Sequence, residues 1–350
     1  MKALRITAVL ASLCTVLFFA SSCGSTEAED GLPVLGAGIY SSGDAFNAFI
    51  AQSIRDFADG ILEVTIEDGR NDQSLQMNQV EAMLARGAQV IALSPVETTA
   101  AIGIIDRARN AGNIPVIFFN NEPDEATMNS YDYVWFVGST EEGGFGAQIQ
   151  GEMVAEYWLA NPELDKNGDG VLQIVYLMGD PGHSAARPRA DAVKEAIENA
   201  GIEIEVLAMD TGMWQTANAK DVMDAWISRF GDEIEFIIAA NDAMALGALQ
   251  SIQIAGFNSG EEGSPYIPII GIDAVPAILT RIESGEVMGS VLQDARAQGE
   301  LIVQMAYNIV QDRNPLQGLA FEMDERKAIR IPYMPITVDN LYEADEAFRR

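Results

Sequence analysis

From residue 32 onward the sequence alternates strand-length apolar runs with stretches of helical periodicity. This alternation limits the fold more than any other feature. The runs at 34–40, 63–67, 90–93, 116–120 and 133–137 are short and rich in Val and Ile. Between them, 44–57, 74–85 and 99–110 space their apolar residues as one face of a helix. A run that is apolar throughout is buried on both faces, as in a parallel strand covered by helices on two sides. The pattern then restarts, with helices expected at 144–159, 189–200, 216–229, 243–254 and 277–284. Strands are expected at 172–178, 203–207, 236–240, 267–272 and 287–292, followed by an alanine-rich helix at 295–311. Two such units make an α/β protein of two doubly wound, Rossmann-like lobes. Ligands of such sheets lie beyond the carboxyl ends of the strands, so facing lobes would put a cleft between those ends.

The segment before residue 32 has a different character. Lys2 and Arg5 precede a nearly unbroken apolar stretch, 6–20, and then Ala20-Ser21-Ser22-Cys23-Gly24. A positive start, an apolar middle and small residues before a cut are the layout of a secretory signal peptide. A membrane-spanning helix is the other reading, but the stretch is short for a ~30 Å hydrocarbon core. Small residues directly before Cys23 resemble a bacterial lipoprotein processing site. The resemblance implies cleavage after 22, lipid on Cys23, and a protein anchored to a bacterial membrane facing periplasm or exterior. Ala20 stands where such sites most often have Leu, so plain secretion is the alternative. Residues 23–31 are then a polar, acidic tether. Cys14 would leave with the signal peptide, so with Cys23 lipidated the exported domain has no free thiol and no disulfide, which excludes cysteine chemistry.

Composition excludes several functions. The net charge of −31 argues against nucleic-acid binding, which needs Lys and Arg against phosphates. A single histidine excludes multi-histidine metal sites. The first strand is followed by Ser41-Ser42-Gly43-Asp44, which is no dinucleotide fingerprint, and no Gly/Lys phosphate loop occurs.

Polar and aromatic residues recur where apolar runs end: Asp44 and Phe46, Asn120, His183 and Arg189, Trp214, Asn241 and Asp242, Asp273, Gln293 and Asp294. A pyranose asks for this mixture, flat rings for its C–H faces and planar donors and acceptors for its hydroxyls. Each residue has an ordinary reading. Asp44 and Asp242 suit helix N-caps, Asn120 an Asx turn before Pro123, Trp214 a core position. Recurrence at one sheet edge is what caps alone do not explain.

Asp165-x-Asn167-x-Asp169-Gly170-x-x-Gln173 matches the first nine positions of a calcium loop, with Val171 at the position whose carbonyl coordinates. Position twelve is Tyr176 rather than Glu, and a strand follows, so an Asp/Asn/Gly turn is an equal reading on these residues alone.

Six motifs carry a resemblance: Phe118-Phe119-Asn120-x-Glu122-Pro123, Asn71-Asp72-Gln73-Ser74, Pro181-Gly182-His183, Met213-Trp214-x-Thr216-Ala217, Met223-Asp224-Ala225-Trp226 and Asn241-Asp242-Ala243-Met244-Ala245. The chain resembles the galactose/glucose-binding branch of the type I periplasmic binding proteins, from about Val34 to Leu341. The resemblance implies that Asp44, Phe46, Asn120, His183, Arg189, Trp214, Asn241, Asp273 and Gln293 line a monosaccharide site. Phe46 and Trp214 would sandwich the ring, and Arg189 would offer a forked pair of donors. It also implies that Glu235 completes a structural calcium site with Asp165, Asn167, Asp169, Val171 and Gln173. Lobes of 32–138 with 295–331, and of 139–292 with 333–345, would join through crossings near 137–140, 292–295 and 331–333. The expected protein is a monomeric, non-enzymatic sugar-capture lipoprotein serving an ABC permease. A sensor presenting its closed form to a chemoreceptor is the runner-up, and a glycosidase using Asp44 and Asp273 a more distant reading. Two residues depart from the branch: Ala185 replaces an Asp and Gln293 an Asn. Losing a charged acceptor costs on the order of 1.5–3 kcal/mol, so weaker or altered sugar preference is expected.

Overall fold

The computed structural model describes residues 31–139, 145–261 and 263–348, and the folded unit runs from Leu32 onward. The expectations for the signal segment, the tether and Cys23 lie outside the described residues, as does part of the first crossing. The first lobe begins with β1 (Val34–Ile39), α1 (Ala45–Ala58), β2 (Glu63–Asp68), α2 (Gln73–Ala85), β3 (Val90–Leu93), α3 (Ala101–Asn110), β4 (Val116–Phe119), α4 (Glu125–Asn129) and β5 (Val134–Gly138). The second lobe follows with α5 (Phe145–Ala160), β6 (Val171–Met178), α6 (Ala186–Asn199), β7 (Glu203–Thr211), α7 (Thr216–Phe230), β8 (Phe236–Ala239), α8 (Asp242–Ile254), β9 (Ile269–Ile270), α9 (Pro276–Glu283) and β10 (Ser290–Leu292). The chain then forms α10 (Ala295–Val310), β11 (Ala328–Arg330), β12 (Met334–Ile336) and α11 (Leu341–Phe348).

Strands β1, β3 and β4 are buried almost throughout, the condition that two helical layers impose. Their sheet runs β11-β5-β4-β3-β1-β2, all parallel. One face packs on α1 and α10 through Ile50, Ile54, Ile302 and Met305. The other packs on α2 and α3 through Val80, Met83, Ile104 and Ile105. The second sheet runs β7-β6-β8-β9, also parallel, over its own core. The long helix after β10 therefore returns to the first sheet, where α10 lies against α1 and Ser53 Oγ donates to the Arg296 carbonyl at 2.8 Å.

Helix starts follow the local chemistry. Asp44, Asp72, Asp124, Asn241 and Asp294 each accept a backbone N–H of the following first turn, worth about 1 kcal/mol apiece. Two expected strands are shorter than their apolar runs. The 267–272 run keeps only Ile269–Ile270 in the ladder, and the 287–292 run only Ser290–Leu292, which pairs antiparallel with β12. Most of the remaining apolar residues there are buried as loop, so hydrophobicity alone overstates the strand.

Candidate functional site

All nine residues expected around a ligand line one small cavity, together with Ala185. Asp44 and Phe46 come from the β1–α1 corner and Asn120 from the end of β4. His183, Ala185 and Arg189 come from the start of α6, and Trp214 from the β7–α7 corner. Asn241 follows β8, Asp273 follows β9 and Gln293 follows β10. Each corner lies at a strand's carboxyl end, where helix N-termini also point their N–H groups. A larger concavity, lined by Phe49, Arg55, Phe57, Arg296 and Phe348, opens on helices α1, α10 and α11 rather than at strand ends.

Asp44 serves both as a cap and as a cavity wall. Its Oδ1 accepts from the Phe46 N–H at 2.8 Å, and its Oδ2 accepts from Asn47 Nδ2 at 3.1 Å and from the Tyr40 hydroxyl. A carboxylate has about four acceptor positions, so these three leave room for one more donor. Burial pushes the Asp44 carboxyl above its ordinary range, and the same three partners hold it back. Asn241 is likewise the cap of α8, accepting from the Met244 N–H at 3.0 Å, while its Nδ2 donates to the Trp214 carbonyl at 3.4 Å. Asp242, expected as a cap, is instead fully buried. It accepts from Ser290 Oγ at 2.7 Å and the Val275 N–H at 2.9 Å, tying the ends of β8 and β10 together beneath the cavity. Burial raises its carboxyl to about 8.

The His183 imidazole is pushed down to about 3 by burial, with the nearby Arg189 charge adding to the effect. It is therefore neutral at physiological pH. Its Nδ1 accepts from the Ala185 N–H at 3.1 Å, which leaves the ring proton on Nε2 as a donor. The ring stands 5.6 Å from Tyr40 and 5.3 Å, edge-on, from Trp214. Arg189 is buried and directed partly inward. Its Nη1 donates to the Ala240 carbonyl at 2.6 Å, and Nη2 to Gln293 Oε1 and Tyr333 Oη, both at 3.1 Å. The expected fork thus also fixes Gln293 and reaches the β11–β12 crossing.

Backbone strain gathers here. Asn120 has φ 59°, Trp214 φ 62° and Asp273 φ 121°. Non-glycine residues rarely occupy such values, at a cost of about 1–3 kcal/mol each, and they cluster at ligand sites. Gly179 shows a related constraint, because a Cβ there would stand 2.0 Å from the Trp214 indole. Only glycine lets the ring lie where it does.

The lobes touch across the cavity. Ser184 Oγ and N–H donate to Asn121 Oδ1 at 2.7 and 3.3 Å, and Asn71 Nδ2 donates to Asp180 Oδ2 at 3.3 Å. Sequence reasoning missed Tyr40, Gly179 and Tyr333. Tyr40 closes the 34–40 run, where a polar ring ending an apolar run carries the same signal as its neighbours. Gly179 follows the apolar run of β6, but nothing local marks the ring that rests on it. The Tyr333 contact spans 144 residues and leaves no local signal.

In the expected metal loop, Asp165 accepts from the Gly168 and Gly170 N–H groups at 2.7 and 3.0 Å, and Asp169 Oδ1 accepts from the Val171 N–H at 2.8 Å. Glu235 reaches across to the loop, accepting from the Lys166 and Gln173 N–H groups at 2.8 and 3.0 Å. Its carboxyl is raised chiefly by burial. Among the described residues, no group of three or more His, Cys, Asp and Glu side chains converges to hold a metal. The donor types nonetheless fit a hard cation. They are all oxygens, and Gln173 Oε1 is buried without a hydrogen-bond partner. Asn167, Val171 and Gln173 would add neutral oxygens to the three carboxylates.

A family model described as a periplasmic binding protein domain matches residues 37–314. The chain belongs to this family. It is 38% identical over 339 residues to the D-galactose/methyl-galactoside binding periplasmic protein MglB of Haemophilus influenzae, covering 96% of this chain and 98% of that protein. A protein of Rhizobium meliloti that carries the name of a putative rhizopine-binding protein is 31% identical over 313 residues, covering 88% of this chain and 91% of that protein. An ABC transporter solute binding protein from Bacillus halodurans, solved with bound myo-inositol, superposes with a TM-score of 0.70 at 27% identity, covering 91% of this chain and 99% of that one. The two-lobed α/β architecture is thus that of the type I periplasmic binding proteins. The relatives carry the names of solute-binding proteins rather than enzymes.

Proposed function

We propose that this protein captures a single monosaccharide of the glucose/galactose type between its lobes and delivers it to an ABC permease. The observation that carries the reading is the cavity itself. Two aromatic residues and seven polar ones converge at the strand ends of both lobes, the pairing of ring faces and planar hydrogen-bonding groups that a pyranose requires. Phe46 and Trp214 would lie on the sugar's faces. Asp44 would accept a hydroxyl proton at its remaining position, and His183 would donate through Nε2. Sugar would favour closure by joining groups held on opposite lobes, and a permease would read the closed form. The lobes would divide as 32–138 with 295–331 and 139–292 with 333–345.

Calcium in the 165–173 loop with Glu235 would neutralise a buried carboxylate and pin the loop to the start of β8. Export and lipidation at Cys23 would hold the protein at a membrane. Thermal-shift screening of monosaccharides against the purified chain tests the central reading: glucose or galactose should raise the melting temperature, and a panel without effect would refute it.

A further inference from the structure

The start of α6 supplies one wall of the cavity through His183, Ala185 and Arg189. Of the ten lining residues, Ala185 alone is neither polar nor aromatic, and it is 2% exposed. The polar groups around its methyl are already engaged within the protein. Ser184 Oγ donates to Asn121 Oδ1 at 2.7 Å, and His183 Nδ1 accepts the Ala185 N–H at 3.1 Å. The Ala185 carbonyl accepts the Arg189 N–H at 3.0 Å. One turn further along α6, Arg189 Nη2 directs its hydrogens to Gln293 Oε1 and Tyr333 Oη. The rest of the lining presents carboxylates, amides, an imidazole, a guanidinium and two aromatic rings.

A hydroxyl pressed against this methyl would lose its water and gain no partner, which weakens binding roughly 10- to 100-fold. A C–H at the same position would gain apolar contact instead. We propose that the cavity selects a deoxy monosaccharide, one carrying hydrogen rather than hydroxyl at the ring position that faces Ala185. The proposal rests on the monosaccharide-binding reading and narrows its substrate class.

Calorimetric titration of the purified chain tests it with glucose, galactose and the 1-, 2-, 3-, 4- and 6-deoxy analogues of each. On the wild type, one analogue should bind at least as tightly as its parent, while the others bind roughly tenfold or more weakly. Ala185→Asn and Ala185→Ser each supply a hydrogen-bonding group at this point. Both variants should shift the preference back toward the parent sugar by roughly tenfold at that position and leave the order of the other analogues unchanged. Because both residues also suit a helix start, the ratio between sugars is read rather than absolute affinity. The proposal is overturned if every deoxy analogue binds more weakly than its parent, or if the favoured analogue keeps its full advantage in both variants. Absence of heat with every sugar would overturn the monosaccharide reading itself, which separates the two failures.

Discussion

Tyr40→Phe isolates one atom of the site. The ring, its burial at 4% exposure and its contact with His183 are retained, while the hydroxyl that donates to Asp44 Oδ2 is removed. A hydrogen bond to a buried charged group is worth about 1.5–3 kcal/mol, and Asp44 keeps only the Phe46 N–H and Asn47 as donors. The carboxylate then becomes harder to ionise, because burial already raises its pKa and the Tyr40 bond is the foremost opposing influence. If Asp44 must accept a sugar hydroxyl as a carboxylate, affinity should fall wherever the variant's carboxyl is protonated and the wild type's is not, by up to about 10- to 100-fold. The acid limb of binding should also move to higher pH. The sign follows from the linkage: protonation competes with the acceptor role, and the variant protonates earlier as pH falls. Calorimetry across pH 4.5–8, with circular dichroism to show an unchanged fold, reads both effects. An affinity within twofold of wild type with an unmoved acid limb would refute the reasoning.

Other perturbations follow from the same geometry. Gly179→Ala forces a methyl into the Trp214 ring and should weaken sugar binding at least about tenfold while lowering stability by about 1–3 kcal/mol, read by calorimetry and denaturant titration. His183 binds a proton in the unfolded chain below about pH 6.5 but in the fold only near 3. It therefore lowers stability as pH falls through that interval, by up to about 1.4 kcal/mol per pH unit, and His183→Gln should flatten the slope measured by urea unfolding at successive pH values. Calcium at a hundredfold excess over its Kd should raise the melting temperature by about 4–5 °C over a chelator control, and Glu235→Gln should erase the difference.

The fold was legible because period and composition agree along most of the chain. Where they part, the reason is physical. Strand β11 is three residues paired to β5 at the sheet edge, and β12 exists only through its antiparallel partner β10, so neither has a pattern long enough to read. Much of the candidate site was legible too, because polar residues ending apolar runs mark the binding edge of a doubly wound sheet. Asp44 shows the limit of that rule, since capping and ligand contact are one role in two directions, which sequence alone cannot separate. Contacts such as Ser184 to Asn121, which joins the lobes, and Arg189 to Tyr333, which reaches the crossing, link residues distant in sequence and emerge only from the assembled fold.

The most direct test of a monosaccharide held between the lobes is one calorimetric experiment on the wild type and Trp214→Ala. Glucose or galactose should bind the wild type at one site per chain, and removing the indole face should weaken that binding by at least about a hundredfold. A wild type that binds neither these sugars nor any of their deoxy analogues, or a Trp214→Ala variant that binds as tightly as the wild type, would contradict the assignment of this cavity to sugar.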